Sequence, residues 1–216
     1  MKPGMTPEVF FKATILGTAL LLAGCATSGN QKSADTRATM KDVQQDYAQA
    51  LAQVDATNGS LEAIVAPGQS DEKKAFENYS DNVNKMDDLG KRLFERADQM
   101  RVQQRNYFEE WRMQGNTYTN PQIQALSEQR RADLNVTFAH ITEASVGVKG
   151  SFKDYMSHIG QIKTYLSNDL TTKGVGSISP DVQQAVADGA KLKDAVQPVI
   201  SSIDDARAEM AQGGNQ

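Results

Sequence analysis

The sequence predicts an all-α protein, an elongated antiparallel coiled-coil bundle of four helices. Two would have about 30 residues and two about 45–50, or roughly 45 Å and 70 Å at 1.5 Å per residue. Three observations predict it. Apolar residues recur at alternating three- and four-residue steps through most of residues 40–210, the heptad signature of helices packed side by side. The pattern breaks where proline and glycine cluster, at 67–70, 115–121 and 173–176. No segment alternates apolar and polar residues at the period of two that marks a half-buried strand.

Residues 1–24 precede the pattern and read as an export signal. Lys2 and Lys12 bracket a weakly cationic start, and Ala13–Ala23 is an apolar run interrupted by Thr14, Gly17 and Thr18. A bilayer-spanning helix needs about 20 apolar residues, so this run suits a signal peptide better than a permanent span. It ends Leu22-Ala23-Gly24-Cys25, which resembles the bacterial lipobox, and Cys25 is the chain's one cysteine. The resemblance implies cleavage after Gly24, a diacylglycerol on the Cys25 sulfur and an acylated new amino terminus. Each buried methylene contributes about 0.8 kcal/mol to membrane affinity, so two or more chains anchor durably without spanning the bilayer. In lipoproteins of the enterobacterial type Ala26 after the cysteine, rather than aspartate, implies the outer membrane, with the protein facing the periplasm.

Residues 25–36 lack apolar periodicity and read as a flexible tether, followed by a single bundle domain over 37–211 and a disordered tail at 212–216. The first helix carries Met40, Val43, Tyr47, Ala50, Val54, Thr57, Leu61 and Ile64 on one stripe. After Pro67-Gly68-Gln69-Ser70, the run Ser70-Asp71-Glu72 makes a helix start. The second stripe is Phe76, Tyr79, Val83, Met86, Gly90, Leu93, Ala97, Met100, Gln104, Tyr107 and Trp111, in which only Gly90 and Gln104 are poor core residues.

Asn120 and Pro121 read as the cap and first residue of the third helix. Its stripe opens with Ile123, Leu126 and Leu134 and settles into Phe138, Ile141, Ser145, Val148, Phe152, Tyr155, Ile159, Ile162 and Leu166. The four-residue steps from Arg130 through Leu134 to Phe138 form a stutter, and Gly147 and Gly150 weaken the helix by roughly 1 kcal/mol each relative to alanine. Ser179-Pro180-Asp181 opens the fourth helix, striped by Val182, Ala185, Gly189, Leu192, Val196, Val199, Ile203, Ala206 and Met210, with a kink expected at Pro198.

The unequal lengths predict that the second and third helices project as a hairpin beyond the four-helix part. If the first helix leads away from the anchor, the hairpin's turn lies on the anchor side. Tyr107, Phe108, Trp111 and Tyr118 sit near that turn and form a candidate contact tip, since aromatic rings with one polar end favour a lipid–water boundary. Tyr107 and Trp111 also fall on core positions, whereas Phe108 and Tyr118 lie off the stripe.

The composition narrows the chemistry. With 23 basic and 27 acidic residues the net charge is −4, which disfavours a nucleic-acid partner. Removing Lys2, Lys12 and Glu8 with the signal leaves 21 basic and 26 acidic residues, net −5. One cysteine rules out an internal disulfide and every thiolate cage for zinc or iron–sulfur. His140 and His158 are about 27 Å apart on one continuous helix and cannot share a metal. No Cys-x-x-Cys-His haem attachment occurs, and adjacent carboxylates such as Asp87-Asp88 point in different directions. No catalytic residue, metal site or cofactor is expected beyond the lipid on Cys25.

Three segments carry a family resemblance: Tyr107-Phe108-Glu109-Glu110-Trp111, Phe152-Lys153-Asp154, and Tyr165-Leu166-Ser167-Asn168-Asp169-Leu170 running to Ile178. Through them the region from about 40 to 210 resembles a family of bacterial helical lipoproteins catalogued as a domain of unknown function, which implies a helical fold and no activity. The expectation is a non-catalytic envelope lipoprotein that serves as a structural or protein-interaction module on the periplasmic face. Its partners would be the membrane, through the lipid, and another envelope protein or a second copy of itself. Small stripe residues such as Ala50, Ala97, Ala185 and Ala206 make a thin core that such a partner would reinforce. The alternative is a membrane- or peptidoglycan-proximal binding module acting through the aromatic tip.

Overall fold

A computed structural model describes residues 29–212. The signal peptide, Gly24, Cys25 with the first tether residues, and positions 213–216 of the tail lie outside the described residues.

Six helices follow one another: α1 (Gly29–Val65), α2 (Glu72–Gly115), α3 (Pro121–Ala144), α4 (Val148–Asn168), α5 (Thr172–Ser177) and α6 (Ser179–Gln212). Among the described residues there is no strand. The long helices run up, down, up and down, with α3 and α4 together forming the third column. Cross-links fix this order. Asp46 of α1 meets Arg96 of α2, Phe94 of α2 packs on Phe152 of α4, and Lys193 of α6 reaches Asp55 of α1. The start of α1, the α2–α3 turn and the end of α6 therefore share one end of the bundle.

The heptad stripes are the core. Met40, Val43, Val54, Leu61 and Ile64 of α1 face Met86, Leu93 and Met100 of α2, and the apolar stripe of α6 is buried from Val182 to Met210. Each large apolar side chain taken out of water contributes about 1.5–3 kcal/mol. The small stripe residues are sockets. A Cβ on Gly90 would lie 1.9 Å from the Phe152 ring, and one on Gly189 would meet Asn58, Val54 and Tyr155. Aromatic rings from the facing helices fill much of the thin core from within.

A polar layer crosses the middle. Gln53 donates to Asn82 at 3.0 Å, Tyr155 donates to Asn58 at 2.8 Å and Tyr79 donates to the Ile159 carbonyl at 2.6 Å. Burial pushes both phenols above the ordinary tyrosine range. Sliding α1, α2 or α4 by a turn would orphan these buried groups, so the layer fixes their register as well as adding stability.

Several expectations are corrected. Residues 29–36 are not tether but the first turns of α1, which has 37 residues. Their apolar content is low; docking supplies the stability, through the buried Thr36 and the Lys32–Glu110 ion pair to α2. Because α1 reaches back this far, the projecting hairpin shrinks to the stretch from about Trp111 to Ser127.

The third helix is two. Ser145 turns its hydroxyl onto the Ile141 carbonyl, and Gly147, at φ +90°, ends α3 and begins α4. The loop expected near 173–176 contains α5, whose Val175 is buried together with Ile178 just after it at the far end of the bundle. Asp71, rather than Ser70, caps α2 by accepting from the Lys74 amide. Asn120 caps α3 as expected, accepting from Gln122 and Ile123. Helix α6 continues through the exposed Pro198, and its last residue, Gln212, falls where the tail was expected to begin.

Candidate functional site

The end of the bundle that holds the start of α1 is built from the last turns of α2. Tyr107 and Trp111, one turn apart, stack edge to face at 5.7 Å, and Tyr107 also meets Phe108 at 5.5 Å. Phe108, expected off the core, packs edge-on against the buried Phe138 of α3 at 5.3 Å and joins the two helices. The Trp111 indole donates to the Ser127 hydroxyl at 2.8 Å, closing the hairpin on its other side. Burial pushes the Tyr107 phenol above its ordinary range, against the opposing pull of Arg130.

Three of the four aromatic residues proposed for the tip, Tyr107, Trp111 and Tyr118, line one cavity of about 450 Å³ with Gly29, Lys32 and Arg130. Phe108 belongs to the packing beneath it. Both cations are neutralised in place, Lys32 by Glu110 and Arg130 by Glu209. Arg130 also donates to the Glu209 carbonyl at 2.7 Å, which ties the end of α6 to α3. The cavity is thus an aromatic-sided recess with its charges already paired, suited to holding an apolar or weakly polar group.

The hairpin end beyond the cavity is apolar and open. Leu126 is 71% exposed, Met113 57%, Ile123 50% and Tyr118 39%. Ile123 and Leu126, expected as core, are instead left uncovered by the described residues. Between Arg112 and Glu128 no side chain carries a charge, the longest such run among the described residues. This missed part of the tip has a signal readable in the sequence, apolar residues in a charge-free stretch. Gly29, Lys32 and Ser33 at the cavity's rim have none, because α1 approaches with polar residues.

A second polar cluster was also missed. His158 of α4, read from the sequence only as too far from His140 to share a metal, donates to the buried Asp188 of α6. Asp188 also accepts from Lys191 at 3.0 Å and Gln184 at 3.1 Å. Burial alone would push the Asp188 carboxyl up, but Lys191, His158 and Gln184 outweigh it and hold the group below its ordinary value. A cavity of about 330 Å³ adjoins this pair, with Tyr165 and Ser177 in its wall. Ser177 donates to the Gly174 carbonyl at 2.7 Å and shares a 2.9 Å hydrogen bond with Tyr165. Its proton is committed to the backbone rather than to His158. The cluster is a clip between α4 and α6. Among the described residues, no group of three or more His, Cys, Asp or Glu side chains is placed to hold a metal ion. No helix there is long and apolar enough to cross a membrane.

A family model described as Protein of unknown function (DUF2959) matches residues 30–211. The match begins at the start of α1 and ends near the close of α6, so it spans the whole bundle. No curated protein and no solved structure matches the chain.

Proposed function

The chain belongs to this family of unknown function, and we propose that it is a non-catalytic envelope lipoprotein, moored through a lipid on Cys25 and facing the periplasm. Its bundle serves as a structural or protein-interaction module. Ala26 favours the outer membrane as its site. The observation that carries the reading is positional. The chain's one cysteine closes the sequence Leu22-Ala23-Gly24-Cys25, and α1 begins four residues later at Gly29.

The remainder of the bundle supports binding over turnover. Lys32 and Arg130 at the aromatic recess and His158 beside the second cavity described are each paired with a carboxylate, and the Phe152 ring fills the space beside Gly90.

Metabolic labelling with a fatty-acid analogue, followed by mass measurement of the purified chain, tests the anchor. We expect label on the wild-type chain, none on Cys25→Ser, and accumulation of the uncleaved precursor in that variant. A Cys25→Ser chain that is still processed and acylated would overturn the reading. Crosslinking of the lipidated protein in intact envelopes tests the interaction role; recovery of the chain without any crosslinked envelope component or second copy counts against it.

A further inference from the structure

We infer that the uncharged end of the α2–α3 hairpin seats in the lipid leaflet that anchors Cys25, with Met113, Tyr118, Ile123 and Leu126 entering its outer layer. The inference rests on the lipid-anchor reading above and adds a second, non-covalent contact with the same membrane.

Reach comes first. Three residues separate Cys25 from Gly29, so the backbone of the lipid-bearing residue lies within about 14 Å of the start of α1 at full extension. Gly29 lines the same cavity as Trp111 and Tyr118, at the end of the bundle from which the hairpin projects. A short leash therefore holds the exposed apolar end against the surface where the lipid chains insert.

Chemistry then selects the occupant. Bringing a charged group into the acyl region is costly, and this end has none from position 113 to position 127. Part of the turn's backbone is paired internally: the Thr117 amide donates to the Gln114 carbonyl at 3.0 Å and the Tyr118 amide to the Gly115 carbonyl at 3.3 Å. Trp111 and Tyr118 flank the apolar side chains, as amphipathic rings do at headgroup depth. The feature is a projecting end rather than a groove, which suits a deformable surface better than a protein helix.

The test uses the lipidated full-length protein carrying Leu126→Cys, labelled with an environment-sensitive fluorophore and reconstituted into phosphatidylethanolamine–phosphatidylglycerol vesicles. With the Cys25 sulfur blocked by its lipid, the thiol at position 126 is the reactive one, and Leu126 is exposed enough for the change to leave the fold intact. Ile123→Cys repeats the measurement at a second exposed site. Ala66→Cys, at the opposite end of the bundle, is the control. We expect a blue shift and about a twofold or larger rise in emission at 126 and 123, but not at 66, on transfer from water to lipid. Spin-labelled lipid should quench the signal at the two tip positions.

A blue shift without quenching would mean that a second copy covers the tip, and would overturn the inference. Unchanged emission in a chain whose mass shows the lipid would also overturn it, leaving the anchor reading intact. A mass without lipid would defeat both.

Discussion

Gly90 of α2 and Gly160 of α4 both lie inside helices but differ in what surrounds them. The Phe152 ring occupies the space a Cβ on Gly90 would need, whereas nothing lies within 4 Å of one on Gly160. Alanine is the better helix former by about 1 kcal/mol at either site. At Gly90 overpacking costs about 1–3 kcal/mol and outweighs that gain, so Gly90→Ala should be destabilising. Gly160→Ala should stabilise by about 0.5–1 kcal/mol. Urea unfolding of the two variants checks the opposite signs. Periodicity marks Gly90 as a stripe position but cannot show which ring fills it, since the ring comes from residue 152. The same distance hides Asp188. Its partner His158 is on another helix, and only the assembled bundle makes their chemistry visible. The lowered Asp188 carboxyl stabilises the fold fully above its unfolded pKa of about 3.9, and that contribution is lost as pH falls through the lower folded value. Asp188→Asn should therefore be less stable than wild type at neutral pH and converge on it in strong acid, read from thermal midpoints between about pH 2 and pH 7.

At the scale of elements, the local repeat exposed the stripes of α1, α2, α4 and α6 because a heptad needs no partner to be recognised. The stripe of α3 was misread at Ile123 and Leu126. Spacing says which face a residue occupies, but a face is buried only where another helix runs alongside, and the described residues leave these two side chains uncovered. The third column's division was foreshadowed only as weakening by glycine. In the structure Gly147 adopts φ +90°, where a side chain is strained whatever the space around it. Gly147→Ala should cost about 1–2 kcal/mol from backbone strain alone. Circular dichroism during urea unfolding measures the loss. An unchanged midpoint would mean that α3 and α4 can join without a left-handed residue. Ser145, which bonds back to Ile141, reinforces the division.

For the molecule as a whole, the order of the columns matters more than any one contact, because it brings the start of α1 to the same end as the hairpin turn. That end was expected from topology alone. The absence of a long tether was not, since Gly29, Asn30, Gln31, Lys32 and Ser33 carry no apolar signal and become helix only against the rest of the bundle. A short connection changes what the anchor does. With the lipid proposed on Cys25, a long leash would let the rod tumble or lie along the membrane, whereas a reach of about 14 Å would hold its end there. Cleavage after Gly24, as proposed, would leave a net charge of −5, which opposes a flat pose on anionic lipid. Seating the uncharged end favours an upright one, so the α1–α2 turn should stand off by about the length of α1, roughly 55 Å at 1.5 Å per residue. Energy transfer from a donor at Ala66→Cys to acceptor lipids in the vesicles measures this height. Transfer efficient enough to place residue 66 within about 20 Å, some two helix diameters, would show a recumbent rod and remove the reason for an end-on contact.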